Sequence, residues 1–183
     1  MSKMMKVKVE NMVACITLDT DLDLKKIAKE VPGVENPKSF PGLIYRLKDL
    51  KVAFLIFRTG KLICSGSRTR ANIDAALEIL LQKLRKAGVR LRGKPKVEVV
   101  NMVSSASMDF KVNLDTIALE SWNVEYEPEQ FPGLVYRLDD LNTVMLIFRS
   151  GKIIITGATS KKQAEQAAEK TKEMVLSLNA SLS

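Results

Sequence analysis

Eight polar side chains recur at matched places in the two halves of this 183-residue chain: Asn11, Arg46, Lys61 and Ser65, then Asn101, Arg137, Lys152 and Thr156. Asparagine offers amide donors, serine and threonine a hydroxyl, and arginine and lysine positive charge. Such a set can satisfy hydrogen-bond acceptors and neutralise anions, which is the chemistry of recognition. The chain has no histidine, so the usual zinc sites and histidine-dependent triads are excluded. Asp19, Asp21 and Asp23 are carboxylates close enough in sequence to consider for a metal. They open a helical pattern, however, where negative side chains are favourable anyway, and no positioned nucleophile, base or phosphate loop accompanies them. An enzyme is set aside on these grounds, and no cofactor or metal is expected.

Elements must carry these side chains, and the strands read as apolar on both faces. Val7 to Leu18 alternates as one long strand, and Val97 to Ser107 repeats it with Asn101-Met102-Val103 in place of Asn11-Met12-Val13. Leu43 to Leu50, Val52 to Arg58 and Lys61 to Ser67 follow as an antiparallel meander with short turns. Asp19 to Asp23 caps a short helix over 24–29 that Pro32-Gly33 stops, and Ala71 to Lys86 carries a helical apolar stripe that Lys161 to Leu178 matches. If Met12, Ala14 and Ile16 pack under the helices, then Val9, Val13, Leu55, Phe57 and Ile63 point the other way. An antiparallel sheet with helices on one side is normally polar on the other, so an exposed apolar binding surface is expected there. The polar residues named first are interleaved with it. A greasy surface with sparse donors can bind protein, but the DNA minor groove fits it better, offering sugar walls, few acceptors and flanking phosphates.

The halves are copies. Phe40-Pro41-Gly42-Leu43-Ile44-Tyr45-Arg46-Leu47 returns as Phe131-Pro132-Gly133-Leu134-Val135-Tyr136-Arg137-Leu138, and Phe57-Arg58-Thr59-Gly60-Lys61 returns as Phe148-Arg149-Ser150-Gly151-Lys152. One common offset across both pairs marks a tandem duplication. Two repeats, 1–92 and 93–183, are expected to fuse into one structural unit of pseudo-two-fold symmetry, because each half alone is near the size at which a core is marginal. Charge separates what shape unites. Residues 1–96 hold 21 Lys/Arg and 9 Asp/Glu, whereas 97–183 hold 8 and 12. A basic half suits a polyanion and an acidic half a basic protein partner. No apolar run approaches a membrane span, and residues 1–6 lack a secretory apolar region, so a protein that stays inside the cell is expected. Cys15 and Cys64, each flanked by apolar residues, read as two small buried hydrophobes.

Taken together, the two Phe-Pro-Gly-Leu-x-Tyr-Arg segments, the two Leu-Ile-Phe-x-x-Gly-Lys segments and the two Asn-Met-Val segments stand in the order found in the TATA-binding-protein family. The whole chain resembles that family's conserved core in its short archaeal form. The resemblance implies an α+β fold, a pseudo-two-fold saddle of two tandem repeats. It has one continuous antiparallel sheet of about ten strands and four helices on the convex face. Its function is implied to be a general transcription initiation factor that binds the TATA-box minor groove and bends the DNA. By position, Phe40, Phe57, Phe131 and Phe148 would insert between base steps. Asn11 and Asn101 would donate to minor-groove acceptors, with Ser65 and Thr156 nearby, while Val13, Leu55, Ile63, Val103, Leu146 and Ile154 would line the floor. Arg46, Lys61, Arg137 and Lys152 would hold phosphates.

The acidic turn Glu125-Tyr126-Glu127-Pro128-Glu129-Gln130 matches the segment that meets transcription factor B in this family, so Glu127 and Glu129 are the expected contacts. Val34-Glu35-Asn36-Pro37-Lys38-Ser39 lacks that charge density, which favours one partner docking at one end. The resemblance also implies RNA polymerase as a partner through the preinitiation complex. The location would be cytoplasmic and nucleoid-associated if the chain is archaeal, nuclear if eukaryotic. The exposed apolar face leads us to expect weak self-dimers through the concave side and no membrane partner. A relative that kept the fold but lost DNA is the competing reading; intact phenylalanines and asparagines in both halves argue against it. Ser65 stands where threonine is often found, and Gln130 where an apolar residue is common.

Overall fold

The computed structural model describes residues 5–182; residues 1–4 and 183, which include part of the amino-terminal segment read above, lie outside them. The chain runs β1 (Lys8–Thr17), α1 (Leu24–Glu30), β2 (Leu43–Leu47), β3 (Val52–Ile56), β4 (Lys61–Ser67) and α2 (Arg70–Lys86). It continues with β5 (Lys96–Ser107), β6 (Lys111–Val112), α3 (Leu114–Glu120), β7 (Val124–Glu125) and β8 (Leu134–Leu138). A 3-10 turn at Asp139–Leu141 leads to β9 (Thr143–Ile147), β10 (Lys152–Ala158), α4 (Lys161–Ser177) and β11 (Ser181–Leu182). Two compact units form. One is Asn11–Val100; the other joins the residues from Asn101 onward with the described residues up to Glu10.

In the unit Asn11–Val100 the strand order is β2-β3-β4-β1, all neighbours antiparallel. Alternation explains the layering. Phe54, Ile56, Leu62, Cys64, Ala14 and Ile16 are fully buried and pack against Ile27 of α1 and Ile73, Ala76, Leu80 and Leu84 of α2. The residues between them, Ala53, Leu55, Ile63 and Val13, are only half-buried. Asp23 caps α1 by accepting from the Lys26 amide at 3.2 Å, and Thr69 caps α2 through the Asn72 amide at 3.1 Å, which satisfies donors a helix start leaves open. The stripe expected over 71–86 is the buried face of α2.

In the other unit β5-β10-β9-β8-β7 form the sheet and β11-β6 a separate pair. Ile153, Ile155, Met145 and Ile147 are buried against Ile117 of α3 and Ala164, Ala167, Ala168 and Val175 of α4. Met5 and Val7 join this core, and the Met5 amide donates to Glu169 Oε2 at 3.1 Å. The small alanines of α4 let it lie close to the sheet, where α2 uses leucines.

Four sheet strands lie in the first unit and five in the other, in line with the about ten expected. The first-repeat counterpart of β7 is reduced to one bridge, Glu35 with Ile44, closed by amide-to-carbonyl bonds of 2.8 and 2.9 Å. Pro32-Gly33 before it, where the second repeat has Trp122-Asn123, keeps the chain from a longer ladder, since proline lacks the donor. β2 and β3 are also shorter than read. β2 stops at Leu47 because 48–51 turn, with Lys51 at φ 57, and β3 stops at Ile56 because Phe57 already closes the next turn. Among the described residues no helix is long and apolar enough to cross a membrane, and no group of three potential metal-binding side chains forms.

Candidate nucleic-acid interface

Each unit carries a half-exposed apolar floor opposite its helices. In the first, Leu55 of β3 lies beside Ile63 of β4, which lies beside Cys15 of β1, with Val13 next along that strand. In the second, Leu146 lies beside Ile154, which lies beside Ser105, with Val103 on the same strand. Every one of these residues is half-buried, as expected for the face away from the helices. Cys15 is therefore a correction: it is only partly buried, because it alternates with Ala14 and Ile16 and so shares the open face. Cys64 behaves as read. It is fully buried, and burial pushes its thiol up to about 11.

Both asparagines are held by a backbone device. The pairing of β1 with β4 slips one residue between Met12 and Ala14, and β5 with β10 slips at the matching place. The extra residues centre on Gly66 at φ +106 and Gly157 at φ +97, a left-handed bulge conformation that glycine adopts without strain. A bulge leaves its own amide outside the ladder. The Gly66 amide donates to Asn11 Oδ1 at 2.7 Å, and the Gly157 amide donates to Asn101 Oδ1 at 2.7 Å. With its oxygen occupied, each carboxamide is fixed so that Nδ2 is the end left to donate. The halves then differ: Asn101 Nδ2 reaches Thr156 Oγ1 at 3.4 Å, a long contact that Ser65 does not make to Asn11.

The phenylalanines stand in pairs. Phe40 and Phe57 lie 5.6 Å apart with rings inclined at 61°, and Phe131 and Phe148 lie 5.9 Å apart at 70°, both edge-to-face. Glycine makes the pairing possible. A Cβ on Gly42 would fall 2.6 Å from the Ile56 carbonyl oxygen and 3.1 Å from the Phe40 ring, and one on Gly133 would fall 2.6 Å from the Phe131 ring. Phe131 is 41% exposed, a large apolar surface to leave in water without a partner. A groove of about 390 Å³ beside Phe57 is lined by Cys15, Pro41, Arg58, Thr59, Lys61 and Ile63.

Lys61 and Lys152 open β4 and β10 and are exposed. The two arginines are exposed and engaged. Arg46 Nε donates to Glu35 Oε2 at 2.9 Å, and the Arg137 guanidinium lies 3.8 Å from Glu125 Oε1. These partners were not singled out from sequence; nor were the bulge glycines, although Ser65-Gly66 and Thr156-Gly157 interrupt a strand pattern at matched positions. Glu127 and Glu129 are exposed in a turn that the Glu127 carbonyl closes by accepting from the Gln130 and Phe131 amides, both at 3.0 Å.

A family model described as transcription factor TFIID (or TATA-binding protein, TBP) matches residues 6–87 and 96–178. The chain belongs to the TATA-binding protein family. The TATA-box-binding protein of Sulfolobus acidocaldarius is 43% identical over 94% of this chain and 88% of its own length. That of Archaeoglobus fulgidus is 43% identical over 94% and 96%, and TATA-box-binding protein B of Halobacterium salinarum 46% over 88% of each. The solved structure of Methanococcus jannaschii TBP superposes with a TM-score of 0.88 at 40% identity, covering 94% of this chain and 99% of that one. The TATA-binding protein family is one of transcription factors. The apolar floors described above lie on the face that each repeat of this member leaves open, with Phe57 beside the first of them.

Proposed function

We propose that this chain is a general transcription initiation factor whose two repeats, 1–92 and 93–183, grip the minor groove of TATA-box DNA through the open faces of their sheets. The observation that carries the reading is the pair of bulge-locked asparagines. A·T pairs present only acceptors in the minor groove, the adenine N3 and thymine O2, and Asn11 and Asn101 each offer Nδ2 while Oδ1 is occupied. Val13, Leu55, Ile63, Val103, Leu146 and Ile154 supply an apolar floor that cannot hydrogen-bond the guanine amino group, so G·C pairs lose a satisfied donor. Ser65 and Thr156 place a hydroxyl beside each asparagine.

Phe40 with Phe57, and Phe131 with Phe148, insert at base steps, unstack them and bend the duplex away from the protein. Arg46, Lys61, Arg137 and Lys152 hold the phosphates and set the salt dependence. Glu127 and Glu129 then receive a basic surface of transcription factor B, which brings RNA polymerase to one side of the promoter. Without DNA the same apolar faces associate weakly between copies, visible as concentration-dependent sedimentation.

Energy transfer between dyes at the two ends of a short TATA-box duplex tests the reading. A large rise on binding, lost in Phe57→Ala/Phe148→Ala, is expected. Binding without a change in end-to-end distance would leave a charge-driven DNA binder and sink the proposal.

A further inference from the structure

Two side chains outside the candidate interface are left in water. Trp122, the chain's single tryptophan, is 91% exposed, and Leu119 is 86% exposed. Leu119 lies at the end of α3 and Trp122 just past its C-cap, Ser121. Scattered exposed leucines need no explanation, but a tryptophan and a leucine three residues apart, both almost wholly bare, form the kind of anchor that binding sites use. The first repeat has neither: by alignment of α1 with α3, the matched residues are Lys29 and Pro32. The surface is therefore a feature of one repeat only.

Its charge points to an occupant. Between Lys111 and Arg137 no lysine or arginine occurs, while Asp115, Glu120, Glu125, Glu127 and Glu129 all do, each exposed. The corresponding first-repeat stretch carries Lys25, Lys26, Lys29 and Lys38. Asp115 lies one helical turn before Leu119 and shares its face of α3; Glu120 follows Leu119 directly. α3 has no basic residue in its last turn, whereas α1 has Lys29, so the partial negative charge of the α3 C-terminus is uncompensated from within the helix. Glu125 is partly engaged with Arg137 at 3.8 Å; Asp115 and Glu120 have no ion-pair partner among the described residues.

We propose that the Leu119–Trp122 surface docks a cationic segment of a protein partner. An aliphatic side chain of that segment covers Leu119, and its lysines or arginines lie over Trp122 and beside Asp115 and Glu120. An indole face attracts a cation, and the surrounding carboxylates hold further ones, so one amphipathic basic segment satisfies both chemistries at once. The site is separate from the DNA-facing residues, and it extends protein recruitment beyond Glu127 and Glu129.

Because Trp122 is the chain's single tryptophan, its emission reports occupancy directly. The probe is a short synthetic helix with one leucine face and one lysine face, titrated into the full-length protein. A blue shift and intensity change that saturate are expected. Leu119→Lys, which restores the first-repeat residue at an exposed position, and Glu120→Lys should each weaken binding at least about tenfold, with unchanged thermal unfolding midpoints. Anisotropy of the labelled helix should show the same loss for Trp122→Ala. No shift up to about 100 µM peptide, a micromolar-class limit, would overturn the proposal. So would an equal response to a leucine-glutamate helix or to polylysine, or a shift that appears on concentrating the protein alone, which would make a second copy the occupant.

Discussion

The two halves hold their asparagines in the same way and brace their phenylalanines differently. Gly66 and Gly157 both sit in left-handed bulges and both donate to an asparagine oxygen. At the ring pairs, by contrast, the atom nearest a Cβ on Gly42 is the Ile56 carbonyl oxygen, whereas the atoms nearest a Cβ on Gly133 belong to the rings of Phe131 and Phe148. Edges diverge further: Arg46 is bonded to Glu35 at 2.9 Å and Arg137 lies 3.8 Å from Glu125. After duplication, the backbone device that aims a donor stayed common to both halves, while side chains around it drifted. The centre of such a site is fixed by geometry and its rim by tolerance.

Thiol chemistry separates the half-sites most widely. Cys15 lines the first groove, and Ser105 stands at its second-repeat place. Cys64 is fully buried with its thiol pushed up to about 11, so at pH 8 only about one Cys64 thiol in a thousand is ionised. A thiol reagent at pH 8 should label one cysteine per chain, in the first half-site only, and bound TATA-box DNA should protect it. Mass spectrometry after labelling checks this; early modification of Cys64 would contradict its burial.

The shared bulge is tested next. Gly66→Ala and Gly157→Ala each force a side chain into a left-handed conformation against a backbone carbonyl, and each should cost about 3 kcal/mol in chemical denaturation. Equal losses support one device used twice. A tolerated substitution in either half would break the equivalence.

At the ring pairs the halves should part. Gly42→Ala, which meets backbone, should lower stability by about 2 kcal/mol. Gly133→Ala meets ring edges of Phe131 and Phe148, the nearer of them, Phe131, half-exposed and free to turn aside, so stability should fall by less than about 1 kcal/mol while DNA bending drops. Calorimetry together with end-to-end energy transfer distinguishes the two.

Among the donors, Asn11→Ala and Asn101→Ala should each weaken TATA-box binding by about 1–3 kcal/mol. Asn11 should weigh more, because Asn101 Nδ2 already has Thr156 Oγ1 within 3.4 Å. Equal losses in equilibrium titration would mean that this long contact has no bearing on the donor. The smallest effect belongs to the rim. Glu35→Gln frees Arg46 from a 2.9 Å exposed ion pair and should tighten DNA binding by less than about 1 kcal/mol. Glu125→Gln, releasing a 3.8 Å pair, should do less still, and the gain should fade as salt rises.

Much of this was legible in the chain itself. Duplication at a common offset, period-two strands and capped helices with a buried stripe are local patterns, and they gave β1 to α2, β5 and α4 nearly where they lie. Phe40, Phe57, Asn11 and their partners stood out as candidates because they recur in matched contexts. Cys15 was misplaced, since apolar neighbours in sequence say nothing about which face of a two-sided apolar strand is covered. That β7 has only a one-bridge counterpart in the first repeat was also hidden, because Pro32 and Gly33 limit pairing without saying whether a bridge survives between Glu35 and Ile44.

The sequence by itself determined the repeat, the alternation that puts asparagine, valine and phenylalanine on one face, and the charge that divides the halves. These follow from residue type and spacing along a single strand or helix. Only the tertiary structure decided that each asparagine oxygen is occupied by a bulge amide, how the phenylalanine rings pair and which glutamates lie beside Arg46 and Arg137. Those depend on a bulge amide, a ring edge or a carboxylate arriving from another strand at a distance of a few ångströms. No pattern within one segment can specify that approach.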